Sequence, residues 1–383
     1  MALAERLAEL VSFDTQNPEG EERPLVQRLA AELKGLGART VDPVDVGDHA
    51  YVYARFGAEP PRLLINVHLD TVPANTGYTS PPHLLVQRAD RLYGLGSADT
   101  KGAIAAVMEA LAGGPVKRAV GVLFSGDEEH RGTCIRDFLD SDLSQGLAQA
   151  IVCEPTSCRV GVRHRGIAAA TATLKAVGGH SSLADSMVNP LAVLARAAVA
   201  VDDMGRAHRE VGPPGFKGLN VNVAKLEGGI AFNVVPTAAT LSFSLRPAPG
   251  ADVEALFAEA ERRVRAAAAP HAIDWEVAAR NPPFATRDLA SFAPLLGDRV
   301  EAPIDLGFWT EAARVSEKGI DAVVFGPGDI GQAHAADEFV TIGDLEQAHA
   351  VFASIFSNLE PSKGSTPPAT DSAGPSPAPS TRR

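Results

Sequence analysis

The chain has 383 residues, 45% hydrophobic and 21% charged, the ordinary balance of a globular protein rather than a disordered one. Its formal net charge of −12 argues against a basic nucleic-acid footprint and against attraction to an anionic membrane surface. Only three cysteines occur, without a C-x-x-C pair, so neither a disulfide framework nor a zinc knuckle is expected.

The N-terminal segment Met1-Ala2-Leu3-Ala4-Glu5-Arg6 lacks the basic start and apolar middle of a signal peptide, and no apolar run reaches membrane-spanning length. The expectation is a soluble, cytoplasmic protein. Apolar spacing predicts helices over Ala2–Leu10 and Arg23–Leu36, the second ended by Gly37. Strand-length apolar runs follow at Tyr51–Phe56, Leu63–Val67, Ala119–Phe124, Ala150–Cys153 and Ala322–Phe325, with an alanine-rich helix over Gly102–Leu111. Uninterrupted apolar strands separated by helices predict an α/β fold, with a mostly parallel sheet covered on both faces.

The middle of the chain reads differently. Strands over Ala168–Val177, Leu219–Ala224, Thr237–Leu245 and Ile273–Val277 show alternation, and helices fall over Pro190–Val201 and Val253–Ala268. This β-α-β-β-α-β order predicts an inserted ferredoxin-like α+β unit. The expected organisation is a catalytic domain from residues 1–165 and 281–360, an insert over 166–280, and a disordered Pro/Ser/Thr/Ala tail over 361–383.

Chemistry follows the apolar runs. His68-Leu69-Asp70 ends one, Ser125-Gly126-Asp127-Glu128-Glu129 another and Glu154-Pro155-Thr156 a third, while Val323-Val324-Phe325 leads through Gly326-Pro327-Gly328 to His334. A glycine-punctuated segment from Tyr93 delivers Asp99 just before a helix. Each piece alone has an ordinary reading as a loop residue or solvated corner. Ligands of open α/β sheets bind beyond the carboxyl ends of the strands, so these residues can converge there. Imidazole with carboxylate suits zinc, cobalt or manganese. His49, His83, His208, His271 and His349 lack partners at ligand spacing and read as surface or packing residues, and His164 as a loop or hinge residue.

These motifs, from His68-Leu69-Asp70-Thr71-Val72-Pro73 to Ala333-His334, resemble the signatures of the dizinc amidohydrolases over about residues 1–360. That group includes acetylornithine deacetylase, succinyl-diaminopimelate desuccinylase and carboxypeptidase G-type enzymes. The resemblance implies two divalent ions, Zn or Co, bridged by Asp99, with His68 and Glu154 on one and Glu129 and His334 on the other. It makes Glu128 the general base and Asp70 the residue orienting His68, and it implies a cis peptide after Asp99. From the insert it implies that His180 donates to the oxyanion, often across a homodimer, and that Asn233 and Arg246 hold a substrate carboxylate.

Trp309-Thr310-Glu311-Ala312 resembles the acetylornithine and acetylcitrulline deacetylase branch, where Glu311 either touches substrate or supports its loop. Leu95 in the glycine loop, Cys134-Ile135 and Phe308-Trp309 lean toward the acetylcitrulline type. The expected activity is therefore removal of acetyl from N2-acetyl-L-citrulline or N2-acetyl-L-ornithine in arginine biosynthesis. A related metallo-dipeptidase or carboxypeptidase is the rival within the group, and an inactive dimeric binding protein is the rival from another class.

Overall fold

The computed structural model describes residues 3–18 and 20–358; the tail expected over 361–383 lies outside the described residues. A nine-stranded sheet runs in the order Thr40–Val46, His49–Phe56, Val120–Ser125, Leu63–His68, Gln149–Cys153, Asp321–Val324, Gly161–His164, Phe284–Ala285, with Ile304–Leu306 pairing Gly161–His164 beside this path. The four central strands, from Val120–Ser125 to Asp321–Val324, are mutually parallel, and antiparallel neighbours flank them.

The apolar runs are continuous because both faces of this sheet are buried. Val52, Ile65, Val67, Val122, Phe124, Ile151 and Val323 pack on one side, under the helices Leu3–Val11, Arg23–Gly35, Lys101–Ala112 and Ile342–Ser357. Their neighbours Tyr51, Tyr53, Leu64, Leu123, Val152 and Val324 pack on the other, against Ile135 and Phe138 of Thr133–Asp140 and Ala312, Ala313 and Val315 of Ala312–Glu317. Alternate side chains of one strand thus serve two cores. Truncating a methyl-rich side chain such as Ile65 to alanine costs about 2–5 kcal/mol.

The register then positions the chemistry. Val67 lies opposite both Phe124 and Cys153, and Val152 opposite Val324. The segments that follow these residues therefore leave the sheet at one common edge.

A second, four-stranded antiparallel sheet has the order Asn220–Gly228, Ala238–Arg246, Ile167–Lys175, Asp274–Asn281. The helices Pro190–Ala207 and Val253–Ala268 contribute with one of its faces to a separate apolar core that includes Ala170, Leu174, Leu194, Leu241, Phe243 and Phe257. Two strands run further than their alternation predicts, to Gly228 and to Asn281. The register shifts between Val223 and Lys225, and between Val277 and Ala279, so the period-two pattern stops before the strand does. The strand Thr40–Val46 also escapes the apolar pattern, being a Pro43-containing partner of His49–Phe56 alone. A small sheet of Phe339–Thr341, Arg91–Tyr93 and Val86–Arg88 completes the fold.

Candidate metal centre

His68 is the last residue of the central strand Leu63–His68 and is almost fully buried. Its Nε2 lies 3.0 Å from Asp99 Oδ1 and 3.9 Å from Glu154 Oε2. The second aspartate oxygen, Asp99 Oδ2, lies 3.4 Å from His334 Nε2, which in turn is 2.9 Å from Glu129 Oε1. Asp99 thus presents one oxygen to each imidazole. His68, Asp99 and Glu154 form one set of atoms within 4.8 Å of one another, and Asp99, Glu129 and His334 form a second. A third set joins His68, Glu128 and Glu129, which brings the Glu128 carboxylate to the same place.

Several local devices hold this arrangement. The peptide between Asp99 and Thr100 is cis, and Thr100 Oγ1 donates to the carbonyl of His68 at 2.6 Å. Gly96 has a φ of +76°, and a side chain there would collide with Thr71, so the turn into Asp99 requires glycine. Asp127 adopts a φ of 61°, turning the chain sharply where Glu128 and Glu129 follow the strand Val120–Ser125.

Asp70 is fully buried, and its carboxylate accepts the backbone N–H of Glu128 at 3.1 Å and of Glu129 at 3.0 Å. Asn17 Nδ2 donates to the same carboxylate at 2.6 Å. The His68 ring is oriented chiefly by the Asp70 main chain: Nδ1 lies 3.1 Å from the carbonyl and 3.7 Å from the carboxylate. The side chain of Asp70 therefore secures the Glu128-Glu129 loop more closely than it does the imidazole.

The electrostatics are those of an anionic cup. Burial, reinforced by the charges of Glu129 and Glu311, raises the Glu128 carboxyl well above its ordinary range, although His68 opposes this. Burial and the charges of Asp99 and Glu129 do the same to Glu154. Burial alone would raise Asp99, but hydrogen bonds and charge from His334 and His68 outweigh it and hold the carboxyl low. Hydrogen bonds to Asp99 and Glu129 push His334 up to about 10. Carboxylates packed this closely call for compensating cations, and the donor set, two imidazoles and three carboxylates with one shared, fits a pair of divalent ions.

Sequence spacing missed the residues beneath the cup. Glu338 is buried, and its carboxylate accepts the N–H groups of Gly96, Ala98 and Asp99 at 2.8, 2.8 and 2.9 Å. Lys101 is buried at the start of its helix, donates to the Phe13 carbonyl at 2.8 Å, and is pushed down to about 8 by burial. An acid just before an apolar strand, and a lysine beside the Asp99-Thr100 pair, were the available signals. Glu311 is 1% exposed; its Oε2 accepts from Asn66 at 2.5 Å and from Ser125 at 2.8 Å, and burial pushes its carboxyl up to about 7.

The residues expected from the middle of the chain gather elsewhere. Gly179–His180 pairs with Val234–Val235, and Ser181 N–H donates to the Asn233 carbonyl at 3.0 Å, so His180 and Asn233 stand together. Arg246 is exposed at the end of Ala238–Arg246. Among the described residues no hydrogen bond or ion pair joins these three side chains to the carboxylate–imidazole cup. Ser182 N–H donates to His180 Nδ1 at 3.2 Å, which makes Nδ1 the acceptor and leaves Nε2 to carry the proton of the neutral ring. Among the described residues His164 joins none of the candidate metal groups: it is buried against Phe284 and Trp309, with Thr310 Oγ1 at 3.1 Å from Nε2.

An α/β sheet whose carboxyl edge gathers imidazoles and carboxylates around one shared aspartate is the framework of a metal-dependent hydrolase. The chain belongs to peptidase family M20/M25/M40, which it matches over residues 64–358. It is 37% identical over 362 residues to an N-acetyl-L-citrulline deacetylase of Xanthomonas campestris pv. campestris, covering 90% of this chain and 94% of that one. It is 31% identical over 377 residues to an acetylornithine deacetylase of Myxococcus xanthus, covering 92% and 96%. The fold is shared with an M20 family metallo-carboxypeptidase from Sulfolobus solfataricus, with a TM-score of 0.76 at 18% identity over 94% of this chain and 99% of that one. A dinuclear metal binding peptidase of the M20 family from Bacillus subtilis has a TM-score of 0.67 at 14% identity, covering 94% and 96%. Among the described residues no helix is long and apolar enough to cross a membrane.

Proposed function

We propose that this chain is a deacetylase of arginine biosynthesis that hydrolyses the acetyl amide of N2-acetyl-L-citrulline or N2-acetyl-L-ornithine. The observation that carries the reading is Asp99, whose two oxygens face His68 and His334 at 3.0 and 3.4 Å. Two zinc or cobalt ions would be held there, one by His68, Asp99 and Glu154 and the other by Asp99, Glu129 and His334. Bound ions supply Lewis acidity, which lowers the pKa of water and polarises an acyl carbonyl.

The chain's own groups do the rest. Glu128 takes a proton from the attacking water as its oxygen bonds to the acetyl carbon. It then delivers that proton to the nitrogen as the C–N bond breaks, giving the amine and acetic acid, whose remaining proton passes to the amine so that acetate and the ammonium form leave. The Glu128 carboxylate lies within 4.8 Å of His68 and Glu129, which suits a group that must both accept and return a proton there. His180, with Nε2–H exposed, supplies a donor to the developing oxyanion, and Asn233 and Arg246 hold the substrate carboxylate. Residues 166–280 would act as a lid and dimerisation unit on a catalytic unit of 1–165 and 281–360, in a cytoplasmic homodimer.

The test is acetate release from both acetylated amino acids by chelated protein resupplied with zinc or cobalt, beside a panel of dipeptides. Activity on the acetylated substrates that is absent after chelation and lost in Glu128→Gln, with metal content unchanged, is expected. Turnover by metal-loaded Glu128→Gln at the wild-type rate would remove Glu128 as the base, and dipeptide preference would replace the substrate reading.

A further inference from the structure

We infer that His49, Asp127 and His130 form a third divalent-metal site, sharing no ligand with the paired centre. Each of the three residues offers one ligand atom, two ring nitrogens and a carboxylate oxygen, all within 4.8 Å of one another. His49 Nε2 lies 3.3 Å from Asp127 Oδ1, and His130 Nδ1 lies 3.6 Å from the same oxygen. Donors about 2.0–2.1 Å from a tetrahedral ion are separated by about 3.3–3.4 Å; the His49 distance matches such an edge, and the His130 ring must close by a few tenths of an ångström to reach it. Both distances exceed the usual range of an N–H···O hydrogen bond.

The surroundings aim two of the donors, His49 and Asp127. Glu22, 3% exposed, accepts the backbone N–H of Ala50 at 2.8 Å and of Asp127 at 2.9 Å. Its Oε1 stands 3.0 Å from His49 Nδ1. An ionised carboxylate only accepts, so Nδ1 donates and the Nε2 lone pair turns toward Asp127. A carboxylate behind a ligating imidazole is the usual way such a ligand is oriented. Gly126 lets Glu22 come this close, since a Cβ there would collide with its carboxylate.

Asp127 is held from its other side: Oδ2 accepts from the N–H of Thr133 at 2.9 Å and from its hydroxyl. Oδ1, which also accepts the Arg131 N–H at 3.2 Å, is left facing the two rings. The side chains of His49 and His130 are 18% and 37% exposed, so solvent completes the coordination. Two imidazoles with one carboxylate select zinc, cobalt or nickel over magnesium or calcium. An ion here ties the start of the strand His49–Phe56 to the loop that carries Glu128 and Glu129.

The experiment is equilibrium dialysis of chelated full-length protein against zinc, with metal counted per chain. The expected result is one more equivalent at saturation in wild type than in His130→Ala. His334→Ala, which removes a ligand of the paired centre, keeps the additional ion. In the His68→Ala/His334→Ala background zinc still raises Tm, and adding His130→Ala abolishes the rise. Equal saturation of wild type and His130→Ala, or no zinc-dependent Tm shift in the double variant, would overturn the site and leave His49 as a hydrogen-bond partner of Glu22. Neither result bears on the deacetylase reading, which is measured by acetate release.

Discussion

Glu338 Oε1 accepts the backbone N–H of Asp99 at 2.9 Å across 239 residues of sequence, and the same carboxylate takes two further amides of the loop that leads there. The orientation of Asp99 between His68 and His334 is therefore set from the far end of the chain. Glu338→Gln places an NH2 group against one of these N–H donors, which costs about 1–3 kcal/mol in a buried site. Metal affinity is expected to fall about 10–100-fold, as for other groups that orient ligands. Competition with a chromophoric chelator measures it; wild-type affinity in this variant would show that the loop holds Asp99 unaided.

Asp70 and Glu128 separate in the same way. Asp70 accepts the amides of Glu128 and Glu129 at 3.1 and 3.0 Å, so Asp70→Asn loosens a proposed base and a proposed ligand together. A loss in both kcat and metal affinity is expected, about 10–100-fold in the latter. Glu128→Gln should lose kcat alone. Parallel metal titrations of the two variants distinguish them, and an Asp70→Asn protein with unaltered affinity would confine Asp70 to catalysis.

The residues at the strand ends were readable because strand register is simple: apolar runs of similar length, laid parallel, bring whatever follows them to one edge. His68, Glu128, Glu129 and Glu154 are all of this kind; His334 and Asp99 stand out beside them, after a longer connection and in a glycine-punctuated segment, and the resemblance supplied their pairing as ligands. Glu338, Asn17 and Glu22 were not readable, because each acts through backbone amides or side chains brought near by loops whose paths have no period. The bulges near Val223 and Val277 hid strand length for a related reason, since one extra residue reverses the inward and outward faces. From sequence His49 reads as a surface or packing residue, because its partners Glu22 and Asp127 lie 27 and 78 residues away and only folding supplies that spacing.

His180 and Arg246 should divide between rate and binding. With Nδ1 engaged by Ser182, the Nε2–H of His180 is the available donor. If it meets the oxyanion, His180→Ala lowers kcat by about 10²–10³ with little change in KM. Arg246→Ala should instead raise KM for acetylated α-amino acids, because a bidentate carboxylate contact is made before the transition state as well as in it. Steady-state kinetics on both variants decide the matter; unchanged parameters in Arg246→Ala would make it a surface charge.

His164, which is in none of the proposed ligand sets, gives the fold an acid-sensitive point. Burial pushes its ring down to about 4, with the Arg165 carbonyl and Thr310 only partly opposing. Nδ1 lies 2.9 Å from that carbonyl and therefore donates, leaving Nε2 to accept from Thr310 Oγ1 in the neutral ring. The unfolded chain takes up this proton near the ordinary histidine value of about 6.5, the folded chain only near 4. Between those values the unfolded state binds more protons, so stability falls as pH drops from about 6.5 toward 4 and is unaffected above that window. The difference in the two pKa values corresponds to about 3 kcal/mol at the acid end. His164→Gln keeps a donor and an acceptor but has no proton to gain, so its urea-unfolding free energy should decline less steeply over this window. Identical slopes for wild type and His164→Gln would mean that the buried ring is protonated in the folded protein after all.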